Sequence, residues 1–279
     1  MNLTSPRTVK TILAKHEIKP SKGLGQNFLV DGHVVHKLVA AAQVGLEDTV
    51  LEIGPGIGTL TQELAKVAKK VIAVEKDQKM VEILKETLAQ HKNIEIIYAD
   101  ALKSNYKLKT TNYKLVANLP YYITAPAIRK FLEGEEFGLR RQEARLQTMT
   151  LIVQKEVAQR ICAKPPEMSI LAVSVQIYAT PKIISYIKGS SFWPKPKVDA
   201  AILQITPFPQ PYPIDFPRFF TIVKAGFKQP RKQLVNNLSK ELDLPRQKTE
   251  QWLLENNIQP TQRAETLSIQ DWINLTNMV

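Results

Sequence analysis

The chain has 279 residues, enough for a large buried core and a small second domain, and its 44% hydrophobic and 23% charged content is ordinary for a water-soluble protein. Thirty-eight Lys and Arg against 26 Asp and Glu give a net charge of +12, which favours polyanions because each neutralised phosphate releases a condensed counterion. A single cysteine, Cys162, excludes an internal disulfide or a multi-cysteine zinc site, and the four histidines are too scattered for a metal site.

The N-terminal stretch MNLTSPRTVKTILAKH has no apolar leader core, and no run of about 18 apolar residues occurs, so a cytoplasmic protein without membrane association is expected. From Thr49 onward, short runs rich in Val and Ile alternate with segments of helical period. TVLEIG (49–54), KVIAVEKD (70–77), NIEIIYADAL (93–102), YKLVANLPYY (113–122) and MTLIVQ (149–154) read as strands. TLTQELAKVA (59–68), QKMVEILKETLAQH (78–91), TAPAIRKFLEG (124–134) and KEVAQRICAK (155–164) read as helices. Continuous apolar strands alternating with helices predict an α/β domain with a mostly parallel sheet covered on both faces. VDAAILQITP (198–207) is expected to close the sheet edge.

Five prolines between Pro207 and Pro217 then interrupt regular structure. Beyond them 218–242, 246–257 and 268–278 carry apolar residues at helical spacing, so a domain over 1–207 and a small all-helical domain over 208–279 are expected. Basic residues cluster at Lys10, Lys15, Lys19 and Lys22, at Arg140, Arg141 and Arg145, and at Lys224, Lys228, Arg231 and Lys232. Each cluster alone is ordinarily a solvated face.

Three features in order suggest a ligand site. Gly54, Gly56 and Gly58 fall between a strand and a helix, where a glycine turn brings backbone close to a ligand. The spacing is not that of the dinucleotide fingerprint, and the loop alone is also compatible with a structural turn. Glu75 ends the next strand, placed to accept hydrogen bonds from ribose hydroxyls, and Asp100 ends the third, placed to accept one from an adenine amine. Either acid alone is more often a cap, but together they favour an adenosine-containing cofactor. The fourth strand ends in Asn118, Leu119, Pro120, Tyr121 and Tyr122. An asparagine carbonyl and a neighbouring backbone carbonyl can hold an exocyclic amine so that its lone pair points at an electrophile, and Tyr121 can stack on the base. A structural turn capped by Asn has similar weight for the bare motif.

The stretches GLGQNFLVD (23–31), LEIGPGIGTLT (51–61), VIAVEKD (71–77), YADAL (98–102), NLPYYI (118–123), VQKEVAQR (153–160), FWPKPKVDAAI (192–202) and FKQPRKQLVNNL (227–238) resemble, in order, the rRNA adenine N6-dimethyltransferase family. The likeness is to its bacterial small-subunit members. It implies a Rossmann-like, S-adenosylmethionine-dependent methyltransferase domain, whose N-terminal segment covers the cofactor, followed by a helical C-terminal domain. It implies that Asn27 and Leu29 line the methionine end, that Gly54 meets the cofactor backbone, and that Glu75 and Asp100 hold its ribose and adenine. Asn118 would hold the target amine, and Tyr121 and Phe192 would sandwich a flipped base. The implied reaction is N6 dimethylation of two adjacent adenosines near the 3′ end of 16S rRNA within the immature 30S subunit, by a monomer. Alternatives are a large-subunit methylase of the macrolide-resistance type, a non-catalytic RNA-binding assembly factor and, furthest off, an NAD-dependent dehydrogenase. The chain departs from the usual family form in the longer, basic stretch 133–148 and in Ala200, where serine is common.

Overall fold

The computed structural model describes residues 1–20, 25–103, 110, 112–133 and 145–277. Along the chain run α1 (Pro6–Lys15), β1 (Phe28–Leu29), α2 (Gly32–Ala42), β2 (Thr49–Ile53), α3 (Thr59–Ala65), β3 (Lys70–Glu75), α4 (Gln78–Thr87) and β4 (Ile94–Tyr98). Then follow β5 (Asn112–Asn118), α5 (Thr124–Glu133), β6 (Arg145–Gln154), α6 (Lys155–Ile161), α7 (Ile170–Gln176), β7 (Ala179–Ile187), β8 (Phe192–Trp193) and β9 (Ala200–Pro207). The last helices are α8 (Phe216–Gly226), α9 (Leu234–Glu241), α10 (Arg246–Glu255) and α11 (Ile269–Asn277).

The main sheet is ordered β4-β3-β2-β5-β6-β9-β7, with β4, β3, β2, β5 and β6 parallel and β9 antiparallel to β6. Parallel neighbours cannot be joined by a tight turn, so each needs a crossover, and α3, α4 and α5 supply them. The chain steps outward from β2 through β3 to β4, then returns to β5 on the other side of β2. The resulting switch point between β2 and β5 is where open α/β sheets leave a crevice at the carboxyl ends of their strands. One expectation is corrected here. The strand 198–207 does not close the edge; β9 lies inside it and β7 is outermost. Residues on β7 alternate between buried, half-buried and exposed, a weaker signal than the continuous apolar runs of the inner strands.

Helix starts follow local chemistry. The side chains of Ser5, Asp31 and Asp77 accept hydrogen bonds from N–H groups in the first turns of α1, α2 and α4. Val35 and Leu38 of α2 pack with Val50, Val71, Val116, Ile152 and Ile202 from the sheet in one buried cluster. Removing a side chain such as Leu38 from such a core costs about 2–5 kcal/mol.

The chain forms two compact units, Met1–Ala158 with Pro181–Pro207, and Gln159–Thr180 with Phe208–Val279. The second takes in a segment before the linear division at 207, because α7 packs on α8 and Tyr178 stacks on Phe216 at 5.0 Å between centroids. In this unit the stretch 218–242 is two helices rather than one. Asn237 donates from Nδ2 to the carbonyls of Gly226 (2.7 Å) and Gln229 (3.0 Å), closing the turn before α9. Gly226 is required by close approach, since a Cβ there would sit 2.5 Å from Trp272. Lys224, Lys228, Arg231 and Lys232 are exposed around this turn, and Lys228 pairs with Glu241 at 3.8 Å. Lys22, Arg140 and Arg141 lie outside the described residues. Among the described residues no helix is long and apolar enough to cross a membrane.

Candidate active site

A cavity of about 420 Å³ opens at the switch point, a size suited to a nucleoside-containing small molecule. Asn27, Leu29, Gly54, Glu75, Asp100, Asn118, Leu119, Pro120, Tyr121 and Phe192, the whole set expected from sequence, line it.

On one side of the crevice the loop after β2 carries Gly54, Gly56 and Gly58 at φ +66, +59 and +89. Gly56 needs its glycine for the left-handed conformation, and a Cβ there would only touch the Phe28 ring, 3.4 Å away. Beside this loop Glu75 is nearly buried. Its Oε1 accepts the backbone N–H groups of Lys76 (2.8 Å) and Asp77 (3.0 Å), and the Gly56 N–H also bonds the carboxyl. Burial raises its pKa above the ordinary carboxylate range, and the three N–H donors partly offset that. Asp100 uses Oδ1 to accept the Leu102 N–H at 2.8 Å, so it does cap the local turn while lining the cavity.

On the other side β5 delivers Asn118, and Pro120 precedes a single 3-10 turn over Tyr121–Ile123. Asn118 donates from Nδ2 to the Asn27 carbonyl at 3.2 Å, and Asn27 donates in turn to the Gly25 carbonyl at 3.2 Å. That bond orients the amide, leaving the Asn118 carbonyl oxygen with no partner among the described residues. Positions for an added Cβ on Gly25 and on Gly54 lie 3.3 and 3.8 Å from Pro120, so the N-terminal segment and the glycine loop converge on this turn.

Leu29 and Phe192 are brought together by a two-stranded antiparallel ribbon, β1 with β8, in which they are register partners. Asp31 ties the ribbon by accepting the Ser191 hydroxyl at 2.8 Å. Phe192 is only 3% exposed, so it is at once part of the core cluster and part of the cavity wall. Among the described residues the buried Tyr121 hydroxyl has no hydrogen-bond partner, and burial together with the charge of Asp199 raises its pKa.

Sequence reasoning missed two contributors. Glu52 is 1% exposed at the cavity wall with Oε2 unpartnered, and burial, with Glu75 nearby, pushes its pKa up to about 8. Its signal was available, an acid two residues before the glycine loop. Lys76 reaches across to bond the Tyr122 hydroxyl and sits 5.0 Å from that ring's centroid. Nothing in the spacing of residues 76 and 122 announces that contact.

A cleft at the switch point with a glycine loop and an acid at the end of the next strand is that of a Rossmann-like domain, and the solved structures that match the chain make it the methyltransferase kind. A dimethyladenosine transferase from Plasmodium falciparum matches at a TM-score of 0.72 and 25% identity, over 88% of this chain and 94% of its own. A 23S rRNA methyltransferase, ErmE, matches at 0.70 and 25%, over 90% and 98%. Residues 16–279 match the family described as "Ribosomal RNA adenine dimethylase", and the chain belongs to it. A protein named "Ribosomal RNA small subunit methyltransferase A" from Dehalococcoides mccartyi is 40% identical over 94% of this chain and 89% of its own length. One of the same name from Alkaliphilus oremlandii is 39% identical over 99% and 97%.

Proposed function

We propose that the protein is an S-adenosylmethionine-dependent methyltransferase that dimethylates the N6 amines of two adjacent adenosines near the 3′ end of 16S rRNA. Its substrate is the immature 30S particle, met by a monomer in the cytoplasm. The observation that carries this is the oriented Asn118 amide, whose unpartnered carbonyl lines a cavity shared with the glycine loop and Glu75.

S-adenosylmethionine supplies a methyl group on a sulfonium, already an excellent leaving group, so the protein needs no covalent nucleophile. Its residues bind and orient. Glu75 accepts from the ribose hydroxyls, Asp100 from the cofactor's adenine amine, and Asn27 and Leu29 close the methionine end. An adenine amine is a weak nucleophile because its lone pair is delocalised into the ring. The Asn118 carbonyl and a backbone carbonyl of the turn accept its two hydrogens, which turns the lone pair toward the methyl group. Tyr121 and Phe192 offer faces for the extruded base and repay part of the unstacking cost. The amine proton leaves to water after transfer.

The test is methyl transfer from radiolabelled S-adenosylmethionine to unmethylated 30S particles and, separately, to protein-free 23S rRNA, with the modified nucleotides mapped. Label on two adjacent adenosines of 16S rRNA is expected. Label confined to 23S rRNA would replace this function with the large-subunit one.

A further inference from the structure

Tyr186 is a large aromatic side chain left 55% exposed on the outermost strand, β7, and the function above does not use it. The Lys155 ammonium stands 5.2 Å from its ring centroid. Both lie at the catalytic end of the sheet. Asn118 is level with Ile152 of β6, and Lys155 follows three residues later, about 11 Å away at ordinary strand rise and spacing. The Lys155 backbone is fixed there by donating to the Asp199 carbonyl at 3.0 Å. Asp199 in turn accepts the Gly189 N–H at 3.0 Å through Oδ1, and its charge is felt by Tyr121. Asp199 thus lies between Lys155, whose backbone it holds, and Tyr121 of the cavity wall, and Lys155 in turn meets the Tyr186 ring.

The surroundings are cationic. Between 181 and 207 the sequence has Lys182, Lys188, Lys195 and Lys197, all exposed, against the single acid Asp199. Among the described residues none of these lysines, nor Lys155, makes an ion pair. An exposed ring beside an unpaired lysine is the combination that holds single-stranded nucleic acid, because the ring stacks a base and the ammonium meets its phosphate.

We propose that Tyr186 and Lys155 form a second nucleotide seat, where a base flanking the methylated adenosines stacks on Tyr186 and its phosphate pairs with Lys155. This rests on the RNA-methylating function proposed above. It gives the protein a hold on the strand beside the reacting base, outside the cofactor cavity.

The experiment is steady-state methyl transfer to unmethylated 30S particles by the wild-type protein and by Tyr186→Ala, Tyr186→Phe and Lys155→Ala, with S-adenosylmethionine affinity measured separately. Tyr186→Ala is expected to raise KM for the particle about tenfold, the effect of one lost stacking contact, with kcat and cofactor affinity near wild type. Tyr186→Phe restores the wild-type KM because the ring face is kept. Lys155→Ala raises KM less and lowers the steepness of the salt dependence by about one charge. An unchanged KM in Tyr186→Ala with an active wild type overturns the seat and leaves the function standing. So does a Tyr186→Phe variant as impaired as Tyr186→Ala, or a parallel loss of cofactor affinity. No transfer by the wild type to the 30S particle overturns the function, and the seat with it.

Discussion

The two ends of the sheet treat their acids in opposite ways. At the amino end Asp48 bonds Lys114 at 2.8 Å, Glu47 bonds Lys69 at 3.1 Å and Glu95 bonds Lys70 at 2.6 Å. At the carboxyl end Glu52 and Glu75 are nearly buried and, among the described residues, neither forms an ion pair, while the nearby Lys76 bonds Tyr122. The effect on proton affinity differs in sign. Burial works against Asp48 too, but the Lys114 bond and charge and the Gly45 N–H outweigh it, and its pKa is lowered. Glu52 and Glu75 are raised. An acid that serves the fold is neutralised by the fold, whereas an acid kept for a ligand is left for the ligand to satisfy.

Breaking that contrast should have graded consequences. Replacing Asn118 by Ala removes the acceptor proposed to orient the amine, and a fall in methyl transfer of about 10³-fold is expected, with cofactor affinity near normal. Loss of binding together with activity would mean that Asn118 holds the cofactor or the fold instead. Glu75→Ala should weaken S-adenosylmethionine binding about 10- to 100-fold by calorimetry, the worth of one charged hydrogen-bonding group. Unchanged affinity would remove Glu75 from the ribose.

At the opposite end Lys114→Ala takes the cation from a half-buried Asp48, so a loss of about 1 kcal/mol in denaturant stability is expected with cofactor affinity untouched. A loss of affinity comparable with that of Glu75→Ala would erase the distinction between the two ends. Glu52 gives a pH signature. Its native pKa of about 8 stands above the ordinary 4.5, so between those values the folded protein holds a proton that the unfolded chain releases. Stability of the cofactor-free protein should therefore fall as pH rises through that window, by about 1 kcal/mol per pH unit, and Glu52→Gln should flatten the slope in thermal melts. Lys69→Ala, at an exposed pair, should change stability by less than about 0.5 kcal/mol.

The sequence disclosed the inner strands well. β2 and β3 are buried on both faces and so read as unbroken apolar runs whose ends place Gly54 and Glu75. β7 has one poorly covered face, and β1 and β8 are two residues each, too short for any periodicity. Leu29 and Phe192 were therefore assigned to the site by resemblance alone, and only register pairing explains why they meet. The Asn118 amide is similar. Its residue type suggested an acceptor, but which amide atom faces the ligand depends on the Asn27 carbonyl 91 positions earlier in the chain.

The short β1–β8 ribbon also has a bearing on how the protein is made. It joins Leu29 to Phe192 across more than half of the chain, and at about 5–20 residues per second a ribosome needs roughly 10–30 s to bridge that gap. The glycine loop, Glu75 and Asn118 are all synthesised within that interval, on strands that lie between Thr49 and Asn118. A nascent chain thus carries the cavity-lining residues of β2, β3 and β5 before it carries Phe192, so the wall contributed by the ribbon is the last part of the cavity to be made.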